Sequence, residues 1–342
     1  MEISKGDTTA IKGIAILLML WHHLFLSTDE YGAWANSFAA IAKVCVALFL
    51  FVSGYGLTKQ FSKLEEPYIK NTVRFLVRRY VNFFLPYWFC FVIVVAVGNL
   101  CGFTFYDAYP ESRNTLKCFL LDVWGQMGYS SYLKAWWFNK MILQLYLIFP
   151  LLYLIVRNKY AAIVGLIAIV PLQLNALKVP GNIFFLVEGG LPAFYLGMLM
   201  AKWRIVPDLG KKKWRIVMLL FSVSLCVGLA FVHLKAGIGS YGAILVRALL
   251  ACSVIVFYMS IQGNWFGFLG FFGKYATIMY LVHVLFLKLI PNVIYGARFA
   301  VLIFVVFMAI SLVAAMLIDW LQKTLRYDKL QTLVLNQIDK WL

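Results

Sequence analysis

The stretch that decides the fold runs from Ile11 to Leu26, IKGIAILLMLWHHLFL. Apart from Lys12 and two adjacent histidines, His22 and His23, it holds only apolar side chains and one glycine. About 20 such residues cross a hydrocarbon core roughly 30 Å thick, so the run reads as a membrane span. The rest of the chain repeats the pattern. Of its 342 residues 63% are hydrophobic and 13% charged, and the mean hydropathy is +0.85. No water-soluble domain hides that much apolar surface, which makes this a polytopic membrane protein. The net charge of +17 would suit nucleic acid in a soluble chain. Here basic residues mark cytoplasmic loops, and no nucleic-acid partner is expected.

Ten spans are expected, at roughly 11–28, 36–58, 80–102, 135–156, 160–178, 183–201, 215–234, 240–262, 273–290 and 298–320. They form one all-α transmembrane bundle without an internal repeat. Counted by alternate loops, 21 Lys and Arg fall on one side and 7 on the other, which places both termini in the cytoplasm (N-in/C-in) of a cytoplasmic membrane. No small-residue cleavage site follows the first run, so it is read as a retained span. The six cysteines have no metal-ligand spacing, and no metal is expected. Cys101 and Cys118 both approach the outer face, but nothing in their spacing supports a disulfide. The outer loop at about 103–134 mixes Tyr and Trp with Asp, Asn and Ser. That mixture suits a sugar, and it equally suits an interfacial aromatic belt, the preferred reading on composition alone.

Eleven residues at 100° each carry the helix from Lys12 to His23 only about 20° beyond three full turns, so the two share a face. His22 stands about 80° away from Lys12. A rise of 1.5 Å per residue sets His23 about 16 Å above Lys12, near the middle of the bilayer. An ionisable group at that depth faces protein or a watery cavity and is a candidate functional group. Imidazole also exchanges protons near neutral pH. Helix-to-helix hydrogen bonding is the competing role. Both remain open for His23, whereas the structural role is favoured for His22.

The segment KGIAILLMLWHH resembles the first span of the acyltransferase 3 family, which carries Arg or Lys, ten residues, then His; here the pair is Lys12 and His23. FLFVSGYGLT (Phe49 to Thr58) is similar to the family's Ser-Gly-aromatic span ending. RFLVRRYVNFFLPYW (Arg74 to Trp88) resembles its basic approach to a Pro-Tyr-Trp span. WWFNKMILQLYLIFPLL (Trp136 to Leu152), FYLGMLMAK (Phe194 to Lys202) and FGKYATIMYLVHVLFL (Phe272 to Leu287) resemble three later spans in the same order. Three departures stand out. Lys12 lacks the bidentate fork of Arg. The acidic residue before it is matched only loosely, by Asp7. Asn82 stands where a second Arg is usual, three residues after Arg79.

The resemblance implies transfer of an acyl group, most often acetyl from acetyl-CoA, to a hydroxyl of a sugar or polysaccharide acceptor, with His23 as general base and Lys12 beside it on the donor side. A covalent acyl-histidine is the alternative route. Arg74, Arg78, Arg79 and Ser53 are the implied contacts to acyl-CoA, while ordinary positive-inside charge accounts for the Lys211-Lys212-Lys213 run. Trp137, Lys140 and Gln144 follow an i, i+3, i+7 stripe with Asn139 beside it, polar atoms at depth that are read as acceptor contacts. His283, at a depth comparable with His23, either joins them by orienting the site or is structural, and the structural role is favoured. Glu188 and Asp319 are the acids expected within spans. The competing class is a transporter of a polysaccharide precursor or small solute, since intramembrane Lys and His also suit a proton relay. The absence of paired broken spans and the ordered motifs favour the enzyme. Nothing in the sequence decides the oligomeric state.

Overall fold

The computed structural model describes residues 2–64, 68–109, 114–173, 190–203, 212–236, 241–261 and 267–341. Arg113, Lys178, Glu188, Arg204, the side chains of the Lys211-Lys212-Lys213 run and residues 174–178 and 183–189 of two expected spans lie outside the described residues. All regular structure among the described residues is helical. In chain order the helices are α1 (Lys5–Phe25), α2 (Ala33–Ala42), α3 (Val44–Phe61), α4 (Tyr68–Leu100), α5 (Phe105–Ala108), α6 (Thr115–Val123), α7 (Trp137–Arg157), α8 (Lys159–Gln173), α9 (Leu191–Trp203), α10 (Lys212–Ala236), α11 (Tyr241–Ser260), α12 (Gly267–Leu289), α13 (Pro291–Tyr295), α14 (Ala300–Thr324) and α15 (Tyr327–Trp341).

Eight stretches among the described residues are long and apolar enough to cross a membrane: α1, α2 with α3, α4, α7, α10, α11, α12 and α14. Apolar α8 and α9 are shorter, at 15 and 13 residues. Large apolar side chains such as Val92, Leu151, Phe221, Val227 and Leu317 stand exposed along these helices. In water that would be costly; against lipid tails it is not. Helix α4 has 33 residues and measures about 50 Å, longer than the hydrocarbon core. It begins twelve residues before the expected span at 80, so the basic stretch Arg74 to Arg79 is helical rather than a loop.

The chain divides into two compact units, Met1–Lys63 with Ile148–Ala276, and Leu64–Leu147 with Thr277–Leu342. In the first, α1 starts at a capping box in which Ser4 and Asp7 satisfy each other's backbone amides. The helix then packs on α2, α3 and α11, and α3 packs on α9. Two crossings depend on glycine. A Cβ on Gly13 would overlap the carbonyl of Leu269, and one on Gly273 would overlap that of Thr9. Likewise a Cβ on Gly54 would strike the carbonyl of Phe194, and one on Gly197 that of Phe51. Each pair lets two backbones touch, as small residues do between membrane helices.

The expected span 36–58 is interrupted at Lys43, whose amide turns back to the Ile41 carbonyl. That deprives the Ala39 carbonyl of its usual helical donor. His22 Nδ1 donates to Ala39 O at 2.8 Å, and His233 Nε2 donates to Ala40 O at 2.9 Å. A carbonyl only accepts, so each imidazole carries its proton on the nitrogen facing it.

The core of the second unit gathers Tyr87, Phe91, Tyr109, Tyr132, Trp136, Leu281 and Leu285. Trp136 Nε1 donates to Leu281 O at 3.0 Å, tying α12 to the turn that precedes α7. Cys101 is exposed and Cys118 buried, and no disulfide joins them.

Candidate active site

Helix α1 carries Lys12 exposed and His23 half-buried, while His22 is buried and committed to Ala39 O. The two imidazole rings lie edge to face, 5.2 Å between centroids. Asp7 caps α1 and also accepts from Tyr258 Oη on α11 at 3.3 Å. Ser53 is half-buried on α3, one residue before the Gly54 crossing.

In the second unit the expected arginines separate into two groups. Arg74 and Arg78, one helical turn apart, converge on Asp339 of α15. Arg78 Nη1 pairs with its Oδ2, Arg74 Nη2 donates to its backbone carbonyl at 3.2 Å, and Arg74 Nε lies 4.0 Å from its Oδ1. Arg79 points elsewhere, its guanidinium 5.4 Å from the Phe75 ring centroid.

On α7 the stripe of Trp137, Lys140 and Gln144 is half-buried. Trp137 stacks on Tyr129 at 5.3 Å, an aromatic face of the kind sugars use, and Gln144 Oε1 is buried without a hydrogen-bond partner. Asn139 is fully buried off that stripe. Its Oδ1 lies 3.1 Å from Tyr280 Oη, which is also 3.0 Å from Ala135 O, and its Nδ2 has no partner. His283 is fully buried and directs Nδ1 at two carbonyls of its own helix, Met279 O at 3.1 Å and Tyr280 O at 2.9 Å. Asp319 meets Lys323 one turn along α14 at 2.6 Å. Among the described residues no group of three or more His, Cys, Asp or Glu is placed to hold a metal.

A family model for the acyltransferase domain, acyltransferase 3, matches residues 8–320. The chain belongs to the acyltransferase 3 family. Comparisons with curated proteins and with solved structures each found no match. As a member of this family the protein is a multi-pass membrane acyltransferase that takes an acyl donor and an acceptor. The four crossing glycines each sit inside a motif that carries the family resemblance: Gly13 in KGIAILL, Gly273 in FGKY, Gly54 in VSGYG and Gly197 in YLGML. Part of what makes those motifs recognisable is therefore packing rather than chemistry.

Sequence reasoning missed one buried polar cluster among the described residues of this acyltransferase. Asp122, at the end of α6, is fully buried. Its Oδ2 accepts from Tyr109 Oη at 2.7 Å and from the Tyr132 amide, while Tyr87 Oη donates to its backbone carbonyl at 2.5 Å. Burial pushes its carboxyl from 3.8 up to about 6, against the lowering effect of the bonds from Tyr132, Tyr109 and Ser131. Tyr132 Oη also holds the Phe103 carbonyl at 2.7 Å. These bonds fasten Phe103, Tyr109 and Tyr132 to one another and to α6 within the tyrosine-rich core. The only signal in the sequence is one acid among the aromatics of LDVWGQMGYSSYLK.

Proposed function

We propose that the protein moves an acyl group, acetyl in the simplest case, from cytosolic acyl-CoA to a hydroxyl of a cell-surface polysaccharide or its lipid-linked precursor. It does so from a cytoplasmic membrane, with both termini on the cytoplasmic side and His23 as general base. The observation that carries this reading is the difference between the two adjacent histidines. His22 is buried and spends its Nδ1 proton on Ala39 O, whereas His23 is half-buried on the face it shares with Lys12.

Neutral His23 takes the proton of the acceptor hydroxyl as that oxygen attacks the thioester carbonyl. The tetrahedral intermediate collapses with cleavage of the carbon–sulfur bond. The departing thiolate recovers the proton from the imidazolium, leaving ester, CoA thiol and neutral imidazole. Lys12, Ser53 and the α4 arginines Arg74, Arg78 and Arg79 are assigned to the multiply anionic donor, for which cations on the cytoplasmic side are suited. Trp137, Lys140 and Gln144 are assigned to the acceptor: an aromatic face, a cation and a carbonyl oxygen that lacks a donor. Asn139 contributes an amide with an unused donor. His283, tied to its own helix, serves to position them.

The test incubates the purified protein in nanodiscs with labelled acetyl-CoA and cell-envelope glycans. Label should pass to glycan, His23→Ala should cut the rate at least about 100-fold, and His22→Ala should retain it per folded molecule. Wild-type transfer by His23→Ala would sink the mechanism. Label retained on His23 after an acid quench would replace base catalysis by the covalent route.

A further inference from the structure

Helix α15 lies beyond residues 8–320, which the family match covers. It runs antiparallel along the first half of α4. Tyr327 Oη donates to Leu85 O at 2.9 Å and its ring lies 4.8 Å from that of Phe89. Gln331 Nε2 meets Asn82 Oδ1 at 2.9 Å. Val334 lines, with Val77, Val81 and Tyr80, a largely apolar groove of about 660 Å³. At the far end Asp339 reaches Arg78 and Arg74. Nothing on α15 is buried, so this helix adheres through a narrow stripe rather than as part of a core.

Two arginines one turn apart, facing one carboxylate, make a fork that also fits a phosphate. The carboxylate supplies one negative charge to two guanidiniums, which leaves the pair unsaturated. We propose that Asp339 is an internal substitute for the donor's phosphate: α15 occupies the Arg74–Arg78 fork at rest, and a phosphate-bearing acyl donor must displace Asp339 to bind. This rests on the reading of these arginines as the donor site. The carboxylate and both guanidiniums remain a third or more exposed. Exposed pairs of this kind are individually weak, so the latch lowers donor affinity by a modest factor and is reversible.

The experiment measures binding of unacylated CoA to the full chain in nanodiscs, for the wild type, Asp339→Asn, Arg74→Gln, Arg78→Gln and the Asp339→Asn/Arg78→Gln double variant. Asp339→Asn should tighten CoA about fivefold. The gain should vanish when Arg78→Gln is also present, since the two changes act on one contact. In the wild type, CoA should raise hydrogen exchange in the α15 amides, a readout that does not depend on any variant folding. If Asp339→Asn binds CoA no better than wild type, or CoA leaves α15 exchange unchanged, the latch is wrong and Asp339 merely holds the arginines in place. If Arg74→Gln and Arg78→Gln both bind CoA like the wild type, the donor-site reading falls instead.

Discussion

Replacing Asp122 by Asn should make the protein more stable at pH 8 and flatten its stability between pH 5 and pH 8. The folded protein holds the Asp122 proton up to about pH 6, whereas an ordinary aspartate releases it near 3.8. Stability from this group is therefore complete below pH 3.8 and is lost as pH rises through 6. About two units at 1.36 kcal/mol each put the full cost of ionising it near 3 kcal/mol at pH 8. Asparagine keeps an oxygen for Tyr109 and the Tyr132 amide but cannot ionise. It also turns the position of Oδ1, buried without a partner, into an amide donor at a cost of about 1 kcal/mol or more. The net gain expected at pH 8 is about 1–2 kcal/mol, with little or no gain at pH 5. Thermal unfolding of detergent-solubilised protein, followed by tryptophan fluorescence at both pH values, measures it. More than half of the ionisation cost is already present at pH 5, so the wild type should lose about 1.4 kcal/mol, or about 2 °C, more than the variant on going from pH 5 to pH 8. An equal loss in the two proteins, or a variant that melts well below wild type at pH 8, would refute the reasoning.

Other outcomes follow from packing and hydrogen bonding. Gly54→Ala should cost about 1–3 kcal/mol, because its methyl meets the Phe194 carbonyl; Gly228→Ala, in open space on α10, should be neutral or gain up to about 1 kcal/mol. Melting temperatures of the two variants, compared side by side, decide whether close approach is the cause. His22→Ala should lower stability by about 1–3 kcal/mol by leaving Ala39 O without its side-chain donor, and an unchanged melting point would show that water replaces it. Tyr280→Phe should cost about 1–2 kcal/mol through its lost bonds to Asn139 and Ala135, read from the same melts.

The helices were legible in the sequence because hydropathy has only one common solution in a bilayer. Each of the ten expected spans overlaps a described helix, eight of the stretches being long enough to cross, and the α7, α11 and α14 boundaries fall within about four residues of expectation. The interruption at Lys43 was not legible, since nothing between Ala39 and Val44 breaks a helix by propensity. It is accommodated by His22 and His233, which lie 17 and 193 residues from the carbonyls they satisfy. Helix α15 went unnoticed for a related reason: its 15 residues are amphipathic rather than apolar, so a search for spans passes over them. Within the candidate site, helical phase distinguished His22 from His23 and aligned the Trp137 stripe. It could not reveal that Arg74 and Arg78 face an acid some 260 residues later, nor that Tyr109 and Tyr132 converge on Asp122.

The two glycine crossings also limit how the first unit moves. A carbonyl seated in each hollow blocks sliding along the partner as firmly as it permits contact, so each crossing behaves as a rivet. Helix α1 travels with the first turns of α12, and α3 travels with α9. Sliding within this unit is therefore opposed at both crossings, whereas at the Lys43 turn the chain is held by two imidazoles instead of continuous helix.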